Sequence, residues 1–159
     1  MMVRLLAVGR MKAGPERELF ERYWARATPM AKQLGFGALD MVELRESQQG
    51  SADARKAAEA NELLAKLPEG AALIALDERG KPITTGDFSS KLETFKDAGR
   101  PVALIIGGPD GLDSSVRKRA DLVISFGAMT MPHQLVRVLA AEQLYRAMTV
   151  LSGHPYHRV

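Results

Sequence analysis

Residues 101–111 read Pro-Val-Ala-Leu-Ile-Ile-Gly-Gly-Pro-Asp-Gly. Six residues without a polar side chain describe a strand buried on both faces, as in a parallel sheet covered by helices. Three glycines within the next five positions let the backbone approach a ligand closely and present free N–H groups. The same unit recurs along the chain. Downstream, a short helix is expected near Ser114–Ala120, a strand over Asp121–Phe126 and a long helix from about His133 to Ser152. Upstream, Val3–Val8 reads as a strand. Gly14-Pro15 opens a helix with proline where its missing N–H costs nothing, and Leu19, Phe20, Tyr23, Trp24 and Ala27 form its apolar stripe. A strand over Ala38–Leu44 precedes a helix capped by Ser51 and running to about Leu67. Leu73–Leu76 lies in a further strand, followed by a polar loop from Asp77 to Pro82. Thr85 or Asp87 then caps a helix carrying Phe88, Leu92 and Phe95. Strands separated by helices about five times over define an α/β fold with a mostly parallel sheet and flanking helices.

The 159 residues are 46% hydrophobic and 26% charged, with no cysteine. A chain of this length forms one domain, residues 1–159, and buries about 70% of its unfolded surface. Without cysteine there is no disulfide framework, thiolate nucleophile or iron–sulfur cluster. No apolar run approaches the ~20 residues that cross a bilayer, and Arg4 interrupts the short apolar start, so a cytoplasmic location without membrane contact is expected. The net charge of +3 is compatible with a nucleic-acid partner without establishing one. Six of the cations (Arg4, Arg10, Lys12, Arg17, Arg22 and Arg26) stand in residues 1–30 against three glutamates, and all three histidines fall after residue 130.

In an open α/β sheet, ligands bind outside the carboxyl ends of the strands. Three loops leave late strands: 77–82, 107–112 and 127–132. The third (Gly-Ala-Met-Thr-Met-Pro) is expected as a buried apolar loop. Two nucleotide motifs fail. No GxxxxGK[ST] run occurs, and Gly107-Gly108-x-x-Gly111 lacks the first spacing of GxGxxG. His154 and His157 flank Pro155 with no nearby carboxylate, so no metal site is expected. Ser114 and Ser115 follow an aspartate at a helix start, which reads as capping, not as nucleophilic chemistry. In the last helix Arg137 and Arg146, nine residues apart, lie on opposite sides. With one side in the core they cannot both face solvent, which suggests that one serves a ligand or a subunit interface. Glu142 and Arg146 are spaced to pair along the helix.

Four motifs stand in order: Leu76-Asp77-x-x-Gly80-Lys81; Ile106 to Leu112 (Ile-Gly-Gly-Pro-Asp-Gly-Leu); Thr130 to Val138 (Thr-Met-Pro-His-Gln-Leu-Val-Arg-Val); and the terminal His154-Pro155-Tyr156-His157-Arg158. With the opening Leu6-Ala7-Val8-Gly9, they resemble the bacterial 23S ribosomal RNA pseudouridine N3-methyltransferase family (the large-subunit methyltransferase H type), of the SPOUT class. The resemblance spans essentially the whole chain. It implies a C-terminal trefoil knot, S-adenosyl-L-methionine (AdoMet) as cofactor without a metal, and a homodimer. The implied substrate is 23S rRNA within the large ribosomal subunit or the 70S ribosome. Carried over by position, the cofactor contacts are Leu76, Gly108, Gly127, Ala128, Met129, Thr130, Met131 and Pro132. If the tail folds over the cofactor, His157 is the candidate general base for the pseudouridine N3 proton, and Arg158 steadies the imide anion or a phosphate. On this reading Gly108→Val should block cofactor binding while the chain stays folded. The other readings are a SPOUT enzyme acting on tRNA or another rRNA site, and a non-catalytic RNA-binding or ribosome-assembly module.

Overall fold

The computed structural model describes residues 1–158. Ten elements alternate: β1 (Met2–Val8), α1 (Pro15–Leu34), β2 (Ala38–Leu44), α2 (Ala52–Ala65), β3 (Ala72–Lys81), α3 (Thr85–Asp97), β4 (Val102–Ile106), α4 (Ser114–Arg119), β5 (Leu122–Ile124) and α5 (His133–Ser152). The strands form one sheet in the order β2-β1-β4-β3-β5, with every pairing parallel. Side-chain alternation splits the core in two. Val3, Leu5, Ile74, Leu104 and Ile106 meet Phe20 of α1, Leu92 of α3 and Leu144 of α5 on one face. Leu6, Val8, Leu73, Ala75 and Ile105 meet Leu63 of α2 and Val116 of α4 on the other. All five residues of β4, at the centre of the sheet, are buried, as its sequence requires. No helix among the described residues is long and apolar enough to cross a membrane.

Three expectations are corrected. Residues 77–82 are not a free loop, because β3 continues to Lys81. Leu76 and Lys81 both pair with Ile124, so residues 77–80 are extruded between two rungs of one ladder. A Cβ on Gly80 would lie 2.7 Å from the Ile124 backbone, so only glycine allows the return. The cap of α3 is Thr84, whose hydroxyl accepts from the Asp87 N–H at 3.0 Å. β5 stops at Ile124 because Ser125 turns the chain, its Oγ accepting from the Gly127 N–H at 2.9 Å and donating to the Gly127 carbonyl at 2.7 Å.

The connections define a crevice. The chain leaves β3 for α3 on one face and leaves β4, its neighbour, for α4 on the opposite face. Adjacent strands whose connections part in this way leave an opening at their carboxyl ends.

Candidate active site

That opening is a cleft of about 220 Å³. Its walls are the extruded residues Asp77, Glu78 and Arg79, the glycine loop from Gly107 to Leu112, and the segment after β5, closed by His133 and Val136 at the start of α5. The extruded turn is held by the Asp77 carboxylate, which accepts from the Arg79 N–H at 2.8 Å and faces Arg117 at 3.4 Å. In the glycine loop Gly111 has φ +86°, a left-handed turn, and its N–H donates to the Gly108 carbonyl at 2.9 Å. Asp110 pairs with Arg55 of α2 at 2.8 Å, and that bond holds its carboxyl below the usual range. Behind Ile124–Gly127 lies a second cavity of about 250 Å³, lined by Leu76, Ile83, Phe88, Leu104, Ala140 and neighbours.

Of the expected cofactor residues, Leu76, Gly108, Gly127, Met129, Thr130 and Met131 line the cleft; Ala128 and Pro132 do not. The segment 127–132 is not buried. Met129 is 83% exposed, and Ala128, Thr130 and Pro132 are exposed with it. The expected outcome of Gly108→Val also changes. Gly108 does not have positive φ, and an added Cβ would lie within 2.9 Å of the buried Val8 Cγ1 and 3.7 Å of Glu59 Oε1, neither of which lines the cleft. Glycine is needed there so that the loop can settle on β1 and α2. Loss of cofactor binding in that variant would therefore come with local misfolding.

Periodicity did not single out His133, whose Nε2 lies 3.8 Å from the position a Cβ on Gly9 would take. Nor did it single out Glu59, buried beside Gly108. Burial pushes the Glu59 carboxyl up, although its Oε2 accepts from the Ser47 N–H at 3.0 Å. Arg137 is completely buried. It reaches Glu43 at 2.7 Å and donates to the Val8 and Gly9 carbonyls at 3.3 and 3.1 Å, while its Nε has no partner. It ties the start of α5 to the carboxyl end of β1, and Glu43 also accepts from the Met11 N–H at 2.7 Å. Arg137 is thus internal, and it serves neither of the two roles suggested for one of the arginines.

Arg146 takes the opposite side. With Leu135, Leu139 and Glu142 it forms a stripe at i, i+4, i+7 and i+11, one face of the helix. Its guanidinium pairs with Glu142 at 2.6 Å, lies 4.8 Å from the Tyr156 ring, and places Nη1 3.3 Å from His157 Nδ1. Tyr156 packs edge-on against Tyr145 at 4.7 Å and donates its hydroxyl proton to Glu142 at 3.1 Å. Burial, followed by the neighbouring Glu142 charge, pushes the Tyr156 hydroxyl up to about 12, so it stays a neutral donor. The tail therefore sits on the C-terminal half of α5. His133, at the cleft, and Arg146, at the tail, are thirteen residues apart, or ~20 Å of helix. His157 and Arg158 do not reach the cleft of their own chain.

A doubly wound sheet with a three-loop cleft at its carboxyl edge is shared by several enzyme classes, and sequence comparison identifies which. A family profile described as "Predicted SPOUT methyltransferase" matches residues 1–157, and the chain belongs to that family. It is 52% identical over 159 residues to the ribosomal RNA large subunit methyltransferase H of Methylobacterium nodulans, covering 99% of this chain and 98% of that protein. To the protein of the same name from Xanthobacter autotrophicus it is 51% identical, covering 99% of each. In fold it resembles the crystal structure of a probable methyltransferase from Bordetella pertussis Tohama I. That match has a TM-score of 0.52 at 19% identity and covers 92% of this chain and 93% of the other.

Proposed function

We propose that this chain methylates N3 of a pseudouridine in 23S ribosomal RNA with AdoMet as donor, working in the cytoplasm on the assembled large subunit or ribosome. The observation that carries this reading is the 52% identity, over nearly the full length of both chains, to a protein named for large-subunit rRNA methylation. The cleft suits the cofactor. AdoMet supplies an electrophilic methyl group on a sulfonium cation beside an adenine and an amino acid. Asp77 and Asp110 are already paired with Arg117 and Arg55, so Glu78 is the wall carboxylate that favours its positive charge, and the polarisable Met129 and Met131 suit an irregular apolar wall. Leu76, Gly108, Gly127, Met129, Thr130 and Met131 would hold the cofactor. Fixing donor and acceptor in line is worth ~7–11 kcal/mol of the barrier. The C-terminal trefoil knot belongs to the same proposal. The segment 125–132 leaves the β5 edge of the sheet and delivers His133 beside Gly9 at the end of β1, so it crosses the ends of β3 and β4.

The active unit on this reading is a homodimer with shared clefts. Leu135 (44% exposed) and Leu139 (38% exposed) form an apolar strip on the face of α5 whose other half carries the tail, and Met129 is exposed at the cleft. A twofold axis near the middle of α5 repeats this face on itself and pairs the helices antiparallel. His157 of the partner subunit and Arg158 of the partner subunit then arrive where each chain's own tail cannot. The exposed Arg10, Lys12, Arg22 and Arg26 extend a basic surface for RNA phosphates from the N-terminal region. A chain of this size with no added RNA-binding domain would read RNA shape on the particle more than base sequence.

The test is label transfer from AdoMet. Ribosomes from a strain lacking the protein should accept methyl groups at least tenfold faster than the same RNA stripped of protein. Equal rates on both would overturn the particle as substrate, and no transfer to either would overturn the activity.

A further inference from the structure

The contact between Arg146 and His157 fixes more than the position of the ring. A guanidinium has five N–H donors and no acceptor, so in the 3.3 Å contact from Arg146 Nη1 the imidazole Nδ1 must be the acceptor. The guanidinium cannot readily turn away, because its Nε donates to Glu142 at 2.8 Å and its face lies over the Tyr156 ring. Glu142 is itself held by the Tyr156 hydroxyl and by the Gln143 amide, which donates at 3.0 Å. With Nδ1 occupied as acceptor, a neutral ring carries its proton on Nε2. The nitrogen left to face outward is an N–H, and a second proton on Nδ1 would point at a cation.

We propose that His157 meets the substrate base as a hydrogen-bond donor through Nε2–H and does not remove the N3 proton. This rests on the shared-cleft reading above, and it replaces the general-base role expected from the sequence. The pseudouridine imide has carbonyl oxygens on both sides of N3. When the N3 proton passes to solvent water, the negative charge spreads onto those oxygens, where an oriented N–H stabilises it. The N3 electron pair then forms the bond to the methyl carbon. The carbon–sulfur bond breaks with its pair remaining on sulfur, and the sulfonium becomes a neutral thioether. Glu142 and Arg146 are positioning residues in this scheme, and Arg158 adds positive potential beside the anion.

Two substitutions separate donor from base. Glutamine at 157 keeps an N–H donor and offers no base; leucine offers neither. Purified His157→Gln should transfer methyl groups to ribosomes from the deletion strain within about tenfold of the wild type. His157→Leu should lose ~10²–10³-fold, the usual cost of one donor at a developing oxyanion. Both changes lie on the partly exposed tail, and circular dichroism should show both variants folded. Nitrogen chemical shifts of the selectively labelled wild-type histidine should report Nε2–H, and Arg146→Leu should release the ring to a mixture of tautomers. A Gln variant as inactive as Leu, or a wild-type ring protonated on Nδ1, overturns the proposal. Failure of the wild type to methylate those ribosomes would defeat the assigned function instead, and the nitrogen shifts would still decide the tautomer.

Discussion

A chain cut after Gly153 should fold, bind AdoMet with unchanged affinity in calorimetry, and lose methyl transfer by at least about a thousandfold. α5 ends on its own at Gly153, whose φ of +75° is a left-handed cap and whose N–H donates to the Val150 carbonyl at 3.3 Å. The tail adds no residue to either core cluster; its main packing is Tyr156 against Tyr145 and Arg146. Every residue assigned to the cofactor lies before it. What the truncation removes is the donor at His157 and the cation at Arg158, and a single donor at an oxyanion accounts for ~10²–10³. Normal turnover by the truncated chain would take both residues out of the reaction. A fully active monomer in sedimentation would separately defeat the shared cleft.

Arg137→Met should destabilise the protein by about 3 kcal/mol, the lower end of what breaking a buried ion pair costs when one charge is left behind. The lower end applies because the Glu43 side chain is 26% exposed and keeps the Met11 N–H as a partner. Methionine nearly fills the space of the arginine stem, so the loss reports electrostatics and the abandoned Val8 and Gly9 carbonyls, not a cavity. Denaturant unfolding at fixed protomer concentration measures it, and the Glu43→Leu background should show a smaller increment, because the pair is already broken. A change below about 1 kcal/mol would mean that the pair is not formed.

Much of the fold is legible in local pattern. β2 and α5 have the bounds their sequences imply, because β-strand and helix periods are short-range properties, and the unbroken apolar run of β4 marks the centre of the sheet. Other features depend on distant residues. Which of Arg137 and Arg146 is internal does not show until Glu43, 94 positions away, is brought beneath Arg137. Residues 77–80 look like a loop because their polarity is visible and their return to Ile124 is not. Met129 and Met131 suggest a buried segment by composition, yet Met129 is 83% exposed at the mouth of the cleft. The rule that ligands bind outside the carboxyl ends of strands picked out the three segments that line the cleft. It could not tell that Gly108 faces Val8, or that the tail lies at the far end of α5, since both depend on how the elements pack.

The most direct measurement is mass spectrometry of 23S rRNA nucleosides from a strain lacking the gene for this protein. The account expects one pseudouridine to appear a single methyl group lighter, with the methyl restored at N3 when the wild-type chain is supplied and not when the chain cut after Gly153 is supplied. A 23S rRNA whose methylated pseudouridine is unchanged by the deletion would contradict it.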